Sequence, residues 1–241
     1  MLAIRQLIRI IIGTLLGILL GAEVFLSGPG ALLHPGLIAL YLLMFLITDE
    51  VLYKWRLSQR HIFVLGMLFE IWFGALISQE LYQPGLSFPL GFAGINLISL
   101  ILLTAAWGMF LVTWMHIMAL ISPRPKEQRL FWLRIILGIG ALIFLILFYL
   151  GNKFNLTHIT GDLILVSLGT VGTIAWFIWI RFSKQADKPQ FSWGILGLGL
   201  IFICISFASL FIPMNNLHIY WTYLVWLPLF IYFASRKSLK Q

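Results

Sequence analysis

The sequence predicts an all-α integral membrane protein: a bundle of about eight transmembrane helices with both termini cytoplasmic. Three observations predict it. Apolar residues make up 61% of the 241-residue chain and charged residues only 10%, whereas soluble domains are about a quarter charged. The apolar runs are continuous and long, without the alternation of barrel strands. The cations, finally, fall almost entirely on one side of the spans those runs define.

The scarcity of charge means that most of the exterior faces hydrocarbon. It excludes a disordered tail and a soluble nucleic-acid binder, and the single cysteine, Cys204, excludes a disulfide scaffold. A helix needs about 20 apolar residues to cross a bilayer core. Nearly uncharged stretches run over 7–27, 32–48, 62–79, 90–121, 131–150, 161–180, 192–212 and 217–234. Turn residues mark several connections, among them Gly28-Pro29-Gly30, Pro84-Gly85, Pro123-Arg124-Pro125 and Gly151-Asn152. The first stretch lacks a small-x-small cleavage site and reads as an uncleaved anchor. No connection is long enough for a soluble domain, so residues 1–241 form one polytopic domain.

Orientation follows from the positive-inside rule. Of 16 Lys and Arg residues, all but Lys153 fall before the first span, after the last, or at the even-to-odd connections. Eight spans with cytoplasmic termini produce that split, and an odd number would scatter it. Fifteen inner cations against Asp49, Glu50, Glu127 and Asp187 leave +11 on the cytoplasmic side. The net charge of +8 is therefore an orientation signal with some attraction to anionic lipid. The location implied is the inner (cytoplasmic) membrane, with the lipid bilayer as partner, other membrane subunits as further partners, and no nucleic acid.

The two halves are weakly self-similar at an offset of about 125 residues. Arg9-Ile-Ile-Ile-Gly13 matches Arg134-Ile-Ile-Leu-Gly138, and Arg56-Leu-Ser58 matches Arg181-Phe-Ser183. An offset of four spans would make residues 1–121 and 122–241 a four-plus-four parallel repeat. The abundance of Ile, Leu and Gly in both halves weakens the match.

Ionisable groups inside a bilayer are costly and mark candidate functional residues. Glu70 stands nine or ten residues from both Arg60 and Glu80, near the midplane of span three. It can relay protons, bind a cation, or act as an acid or base, against the plain alternative of a protonated carboxyl bonding a neighbouring helix. His116 lies in the inner half of span four and is a proton shuttle or, more commonly, a packed histidine. Asn96 lies in the lead-in to that span. Span four is overlong: the 33 residues Pro89–Ile121 would extend about 50 Å as helix, so it either tilts or has a broken lead-in over Gly91–Asn96.

The outer acids weigh less. Asp162 follows Thr160-Gly161 and reads as helix-capping chemistry, Glu23 is within a turn of the outer border, and Glu80 is outside it. Asp49 and Glu50, beside Lys54 and Arg56, read as a solvated cluster. His34, His158, His218, Glu80 and Asn96 gather on the outer side, but no two share a ligand spacing. No metal site or cofactor is expected. Trp55, Trp132, Trp193 and Trp221 stand where interfacial anchors are expected.

No phosphate loop, dinucleotide fingerprint, serine elbow or zinc-protease motif is present. The leading expectation is a non-catalytic membrane protein: a transporter or permease for a small or lipid-like substrate, or a membrane subunit of a larger complex. The alternative is an intramembrane enzyme using Glu70 and His116. An eight-helix layout with Glu70 on span three and His116 on span four resembles the CAAX-protease and bacteriocin-processing membrane family, whose helix carries Glu-Glu-x-x-x-Arg. Here that helix reads Phe69-Glu70-Ile71-Trp72-Phe73-Gly74. It lacks the second acid and the arginine, so the resemblance implies at most a catalytically degenerate relative.

Overall fold

The computed structural model of the chain describes residues 2–21, 29–55, 57–73, 91–92, 95–122, 131–152 and 159–183. Six α-helices follow in order among them: α1 (Leu2–Leu20), α2 (Pro35–Trp55), α3 (Gln59–Phe73), α4 (Leu97–Ile121), α5 (Phe131–Asn152) and α6 (Ile159–Phe182). A 3-10 turn, Pro29–Leu33, precedes α2. Two-residue strands β1 (Gly91–Phe92) and β2 (Ile95–Asn96) pair antiparallel just before α4, with Gly91 opposite Asn96. Three stretches, Pro35–Leu52, Leu103–Ile121 and Leu163–Phe182, are long and apolar enough to cross a membrane. The segments 192–212 and 217–234, expected as spans seven and eight, lie outside the described residues.

The ends of two helices follow local chemistry. His34 precedes Pro35 at the start of α2, and its Nδ1 accepts the backbone N–H of Leu37 at 3.3 Å. A capping acceptor followed by proline at the first helical position satisfies one orphan donor and removes another. The overlong span four has a broken lead-in. The paired strands Gly91–Phe92 and Ile95–Asn96 stand there, and the helix proper begins at Leu97 and runs 25 residues, about 38 Å.

The distribution of polarity is inverted relative to a soluble protein. On α1 the polar side chains Gln6, Arg9 and Thr14 are buried, while Ile4, Ile8, Ile11 and Leu15 are exposed. On α5 the exposed side chains include Trp132, Ile136, Ile139, Ile143 and Leu147, and burial is confined to positions such as Ala141 and Leu145. A helix that turns its polar groups inward and its aliphatic groups outward suits an apolar solvent. Helix α4 is buried on every side from Gly108 to Met118, as expected of an all-round apolar core helix.

The chain divides into two compact units, and each draws on both halves of the sequence. The first takes in Met1–Lys54 and Thr113–Asn152, the second Trp55–Val112 and Lys153–Pro189. In the first unit, α1 packs through small residues: a Cβ on Gly13 would come within 2.6 Å of the Phe45 ring, and one on Gly17 would overlap Trp114. The Trp114 indole N–H donates to the Gly13 carbonyl at 2.9 Å, and its ring meets Tyr41 edge-on at 6.0 Å. Helix α5 lies against α2, with Gly138 facing Leu46.

In the second unit, α3 packs on two neighbours. Toward α4 the approach is backbone to backbone, since a Cβ on Gly66 would strike the Trp107 carbonyl and one on Gly108 would sit 2.8 Å from the Phe63 carbonyl. Toward α6, Gly169 lies beneath Trp72 and Gly172 beneath Leu68, and the Trp72 N–H donates to Thr173 Oγ1 at 3.2 Å. Ile95 and Leu165 form a small core with Leu100, Leu103, Ile164 and Val166. Close approach through glycine is how helices bind one another where lipid offers no hydrophobic drive.

A side chain at the α3–α4 crossing is therefore an overpacking error. Gly108→Val is expected to cost about 1–3 kcal/mol. Gly140→Ala, at a site where nothing lies within 4 Å, should be neutral or slightly stabilising because alanine favours helix. Unfolding of the two variants in the same detergent checks the contrast.

Candidate functional site

The largest set of interacting buried charges among the described residues lies in the first unit, at the ends of α1, α2, α4 and α5. Asp49 accepts from two arginines at once. Arg9 Nη2 lies 2.7 Å from Oδ1, and Arg134 Nη2 lies 2.5 Å from Oδ2. The side chains are 7%, 5% and 10% exposed for Arg9, Asp49 and Arg134. Arg9 Nη1 also donates to the Met118 carbonyl at 3.3 Å, and its guanidinium lies 5.8 Å from the centre of the Phe45 ring. Arg134 Nε lies 3.9 Å from Glu50 Oε2. Each carboxylate oxygen of Asp49 thus carries its own charged donor, and Arg9 adds a bond to a carbonyl near the C-terminus of α4, where a cation is favoured.

This corrects the expectation of a solvated cluster at Asp49 and Glu50. A reading by position put both acids at a wet border next to Lys54 and Arg56. Asp49 is instead buried, and its partners among the described residues include Arg9 and Arg134, 40 and 85 residues away. Both arginines had been counted only as topology signals. Adjacency in sequence is a poor guide here because α1 and α5 each bring an arginine to the level of Asp49. The signal that could have found the cluster was the matched pair Arg9-Ile-Ile-Ile-Gly13 and Arg134-Ile-Ile-Leu-Gly138, whose arginines meet on this carboxylate.

Glu70, the leading candidate from sequence, belongs to the second unit and is fully buried. It stands one turn beyond Gly66 on α3, so it shares the face that meets α4 at Trp107 and Gly108. On α4, one turn before Gly108, stands Thr104, also buried, whose hydroxyl donates to the Leu100 carbonyl at 2.6 Å. His116 is buried too, but in the first unit, two residues before Met118. Asn96 closes β2 at the position before α4, and the described backbone places it in the second unit. Asp162 falls in the first turn of α6, where a carboxylate favours the helix dipole. Glu23 and Glu80 lie outside the described residues, as do His158 and His218.

A second polar centre, absent from the sequence reading, is His61 at the start of α3. Its Nδ1 lies 3.2 Å from the Ser58 backbone N and 2.8 Å from Ser58 Oγ, and its Nε2 lies 2.9 Å from Ser183 Oγ at the end of α6. The backbone N–H can only donate, so Nδ1 accepts. In the neutral ring Nε2 then carries the proton and donates to Ser183, whose hydroxyl in turn donates to the Trp179 carbonyl. The Ser183 pair therefore does not have the polarity of a nucleophile with its base, because the nitrogen facing that hydroxyl already holds a proton. The Trp179 ring lies 4.3 Å from the imidazole centre, and the Trp176 N–H donates to the His61 carbonyl at 2.9 Å. The motif Ser58-x-x-His61 was readable locally, but nothing local announces Ser183, 122 residues away.

An open groove of about 500 Å³ runs along α6, lined by Leu163, Ile164, Ser167, Leu168 and Val171. One hydroxyl among four aliphatic side chains offers it no acid, base or charge. Among the described residues no cluster of three His, Cys, Asp or Glu side chains could hold a metal ion. No protein-family model, no curated protein and no solved structure matches the chain.

The arrangement at Asp49 sets an energetic expectation. Asp49→Ala strands two buried arginines and is expected to cost about 3–5 kcal/mol, whereas replacing the whole triad by apolar residues (Arg9→Met, Asp49→Leu, Arg134→Met) should recover most of it. Unfolding in detergent compares the two. A triple variant as unstable as Asp49→Ala would show that stranded charge is not the cause.

Proposed function

We propose that this chain is a non-catalytic carrier of the inner membrane. It is an eight-span bundle with cytoplasmic termini that moves a small or lipid-like substrate, with Glu70 as its coupling or gating group. The observation that carries the reading is the complete burial of Glu70 on an otherwise apolar stretch of α3. A carboxyl enclosed at that level is costly when ionised and inexpensive when protonated, so any conformational step that admits water to it is coupled to a proton. The inverted polarity of α1 and α5 supports a bilayer location, and the asymmetric placement of Lys and Arg supports the orientation.

His116 and Asn96 are further candidate polar groups, both belonging to α4 or its lead-in. The triad at Asp49 is assigned to holding the first unit together. A role as a membrane subunit of a larger complex has the same exterior and differs in its partners.

Two measurements separate these readings. In proteoliposomes enclosing a pH-sensitive dye, an imposed gradient should drive proton entry through the wild-type protein, and Glu70→Gln should abolish it while leaving the protein folded. Entry that is equal in the variant removes Glu70 from the path. A stable stoichiometric partner after purification in mild detergent would favour the subunit role over the carrier.

A further inference from the structure

His61 joins two helices through both ring nitrogens: the Nδ1 bond requires that nitrogen unprotonated, whereas Nε2 donates in either form. On one side it receives the backbone N–H of Ser58, in the short link between α2 and α3, and on the other it donates to Ser183 at the last turn of α6. The side chain is buried, with relative exposure of 6% for the residue. Aromatic groups close the site: Trp179 against the ring, Trp176 bonded to the His61 carbonyl, and Trp55 packed on Trp176 at 6.2 Å and on Phe177 at 5.4 Å. The α3–α6 seam continues from there through Leu68 on Gly172 and Trp72 on Gly169 and Thr173.

We propose that the Ser58–His61–Ser183 chain is a pH-sensitive latch, closed when the imidazole is neutral and opened by its protonation, that holds the start of α3 against the end of α6. Adding a proton at Nδ1 points an N–H at the Ser58 N–H. That bond is lost, and only the Ser58 hydroxyl can turn to accept in its place. The new cation is also poorly served by its surroundings. Besides Glu70 and Asp162, nine and twenty-one residues off along α3 and α6, and Lys54 beside Trp55 on α2, the charged groups on the elements packed there are Arg60 of α3 and Arg181 of α6, both exposed. Both have the same sign as the protonated ring, and among the described residues neither ring nitrogen meets a carboxylate. A buried imidazolium without a counter-charge is destabilised, and the ring can shed that cost by swinging out to water.

His61 stands one residue outside the predicted span 62–79. Burial pushes its pKa below the ordinary histidine value of 6.5. For a group whose folded pKa is lowered, the closed state loses stability as pH falls below the open-state value of about 6.5, and the loss stops growing below the folded pKa. Above neutrality the latch is insensitive to pH. Because α3 carries Glu70, opening frees one end of that helix from α6. The latch does not depend on whether Glu70 conducts protons, nor on which face of the membrane it occupies.

Paired spin labels test it. Cysteines at Arg60 and Phe182, both exposed, are introduced in a Cys204→Ser background, and the inter-label distance is measured in detergent at about pH 7.5 and about pH 5. A single short distance is expected at the higher pH, with a second, longer population growing at the lower one. His61→Gln, which keeps a neutral donor and acceptor but cannot titrate, should show the short distance alone at both. An unchanged wild-type distance overturns the proposal, as does the same acid shift in His61→Gln. Should that variant fail to fold, the wild-type titration still decides. A midpoint well above 6.5 would also overturn it, since burial can only lower the value.

Discussion

The first unit is organised around one carboxylate. Asp49 is buried, charged and shared, and every helix contributing to that end of the unit is tied to it directly or through Arg9. Helix α2 carries it, α1 and α5 each bring an arginine to it, and Arg9 extends the connection to the Met118 carbonyl of α4. In water such a cluster would compete with solvation and add little. Where the exterior is aliphatic, the unfolded alternative also lacks water around these groups, and the geometry of donors to one carboxylate fixes which helix faces which. The aromatic packing above it follows the same register: Arg9 meets Asp49 and lies over Phe45, and one turn further along α1 Gly13 meets Phe45 and bonds Trp114. Rotating α1 by a single residue would break the ion pair and drive a branched side chain into Phe45.

The second unit uses little charge. Its helices are set by approach distance at Gly66, Gly108, Gly169 and Gly172, and by single hydrogen bonds from indoles to Thr173 and to the His61 carbonyl. Dispersion between closely packed backbones replaces the hydrophobic effect, which lipid does not supply. That makes the unit tolerant of changes on its outer faces and intolerant of volume at the crossings. Glu70 sits fully buried on α3, the helix held by contacts on both neighbours.

Charge placement in the sequence supports an expected orientation, and the apolar runs define the expected spans, because both are one-dimensional signals. The apolar runs located the six described helices with shifted ends. Helix α1 starts five residues before the expected 7–27 and stops earlier, and α2 extends past 48 to Trp55. Helices continue through border charges such as Arg9, Asp49 and Glu50, because a charge bonded inside the bundle need not end a helix. The same fact hid the Asp49 cluster: hydropathy treats every charge as solvated, and only packing shows that Arg9 and Arg134 turn inward. His61 was invisible for a related reason. A histidine at a helix start beside Arg60 looks like a surface residue until α6 is laid over it. Glu70, by contrast, stood out in sequence because it lacks any charged neighbour.

The matched segments of the two halves acquire a physical sense from these centres. Arg9 and Arg134 are equivalent under the offset of about 125 residues, and they divide one aspartate between them. Ser58 and Ser183 are equivalent under the same offset, and they flank one imidazole. In both cases the matched positions carry the two partners while the group between them is single, since the positions 125 beyond Asp49 and His61 are Ile174 and Ala186. A second aspartate or histidine would have no use there. One carboxylate has two oxygens and one imidazole has two nitrogens, so each centre can bond partners from both matched segments at once. Each junction therefore depends on both segments, and replacing Asp49 or His61 removes both of these bonds together.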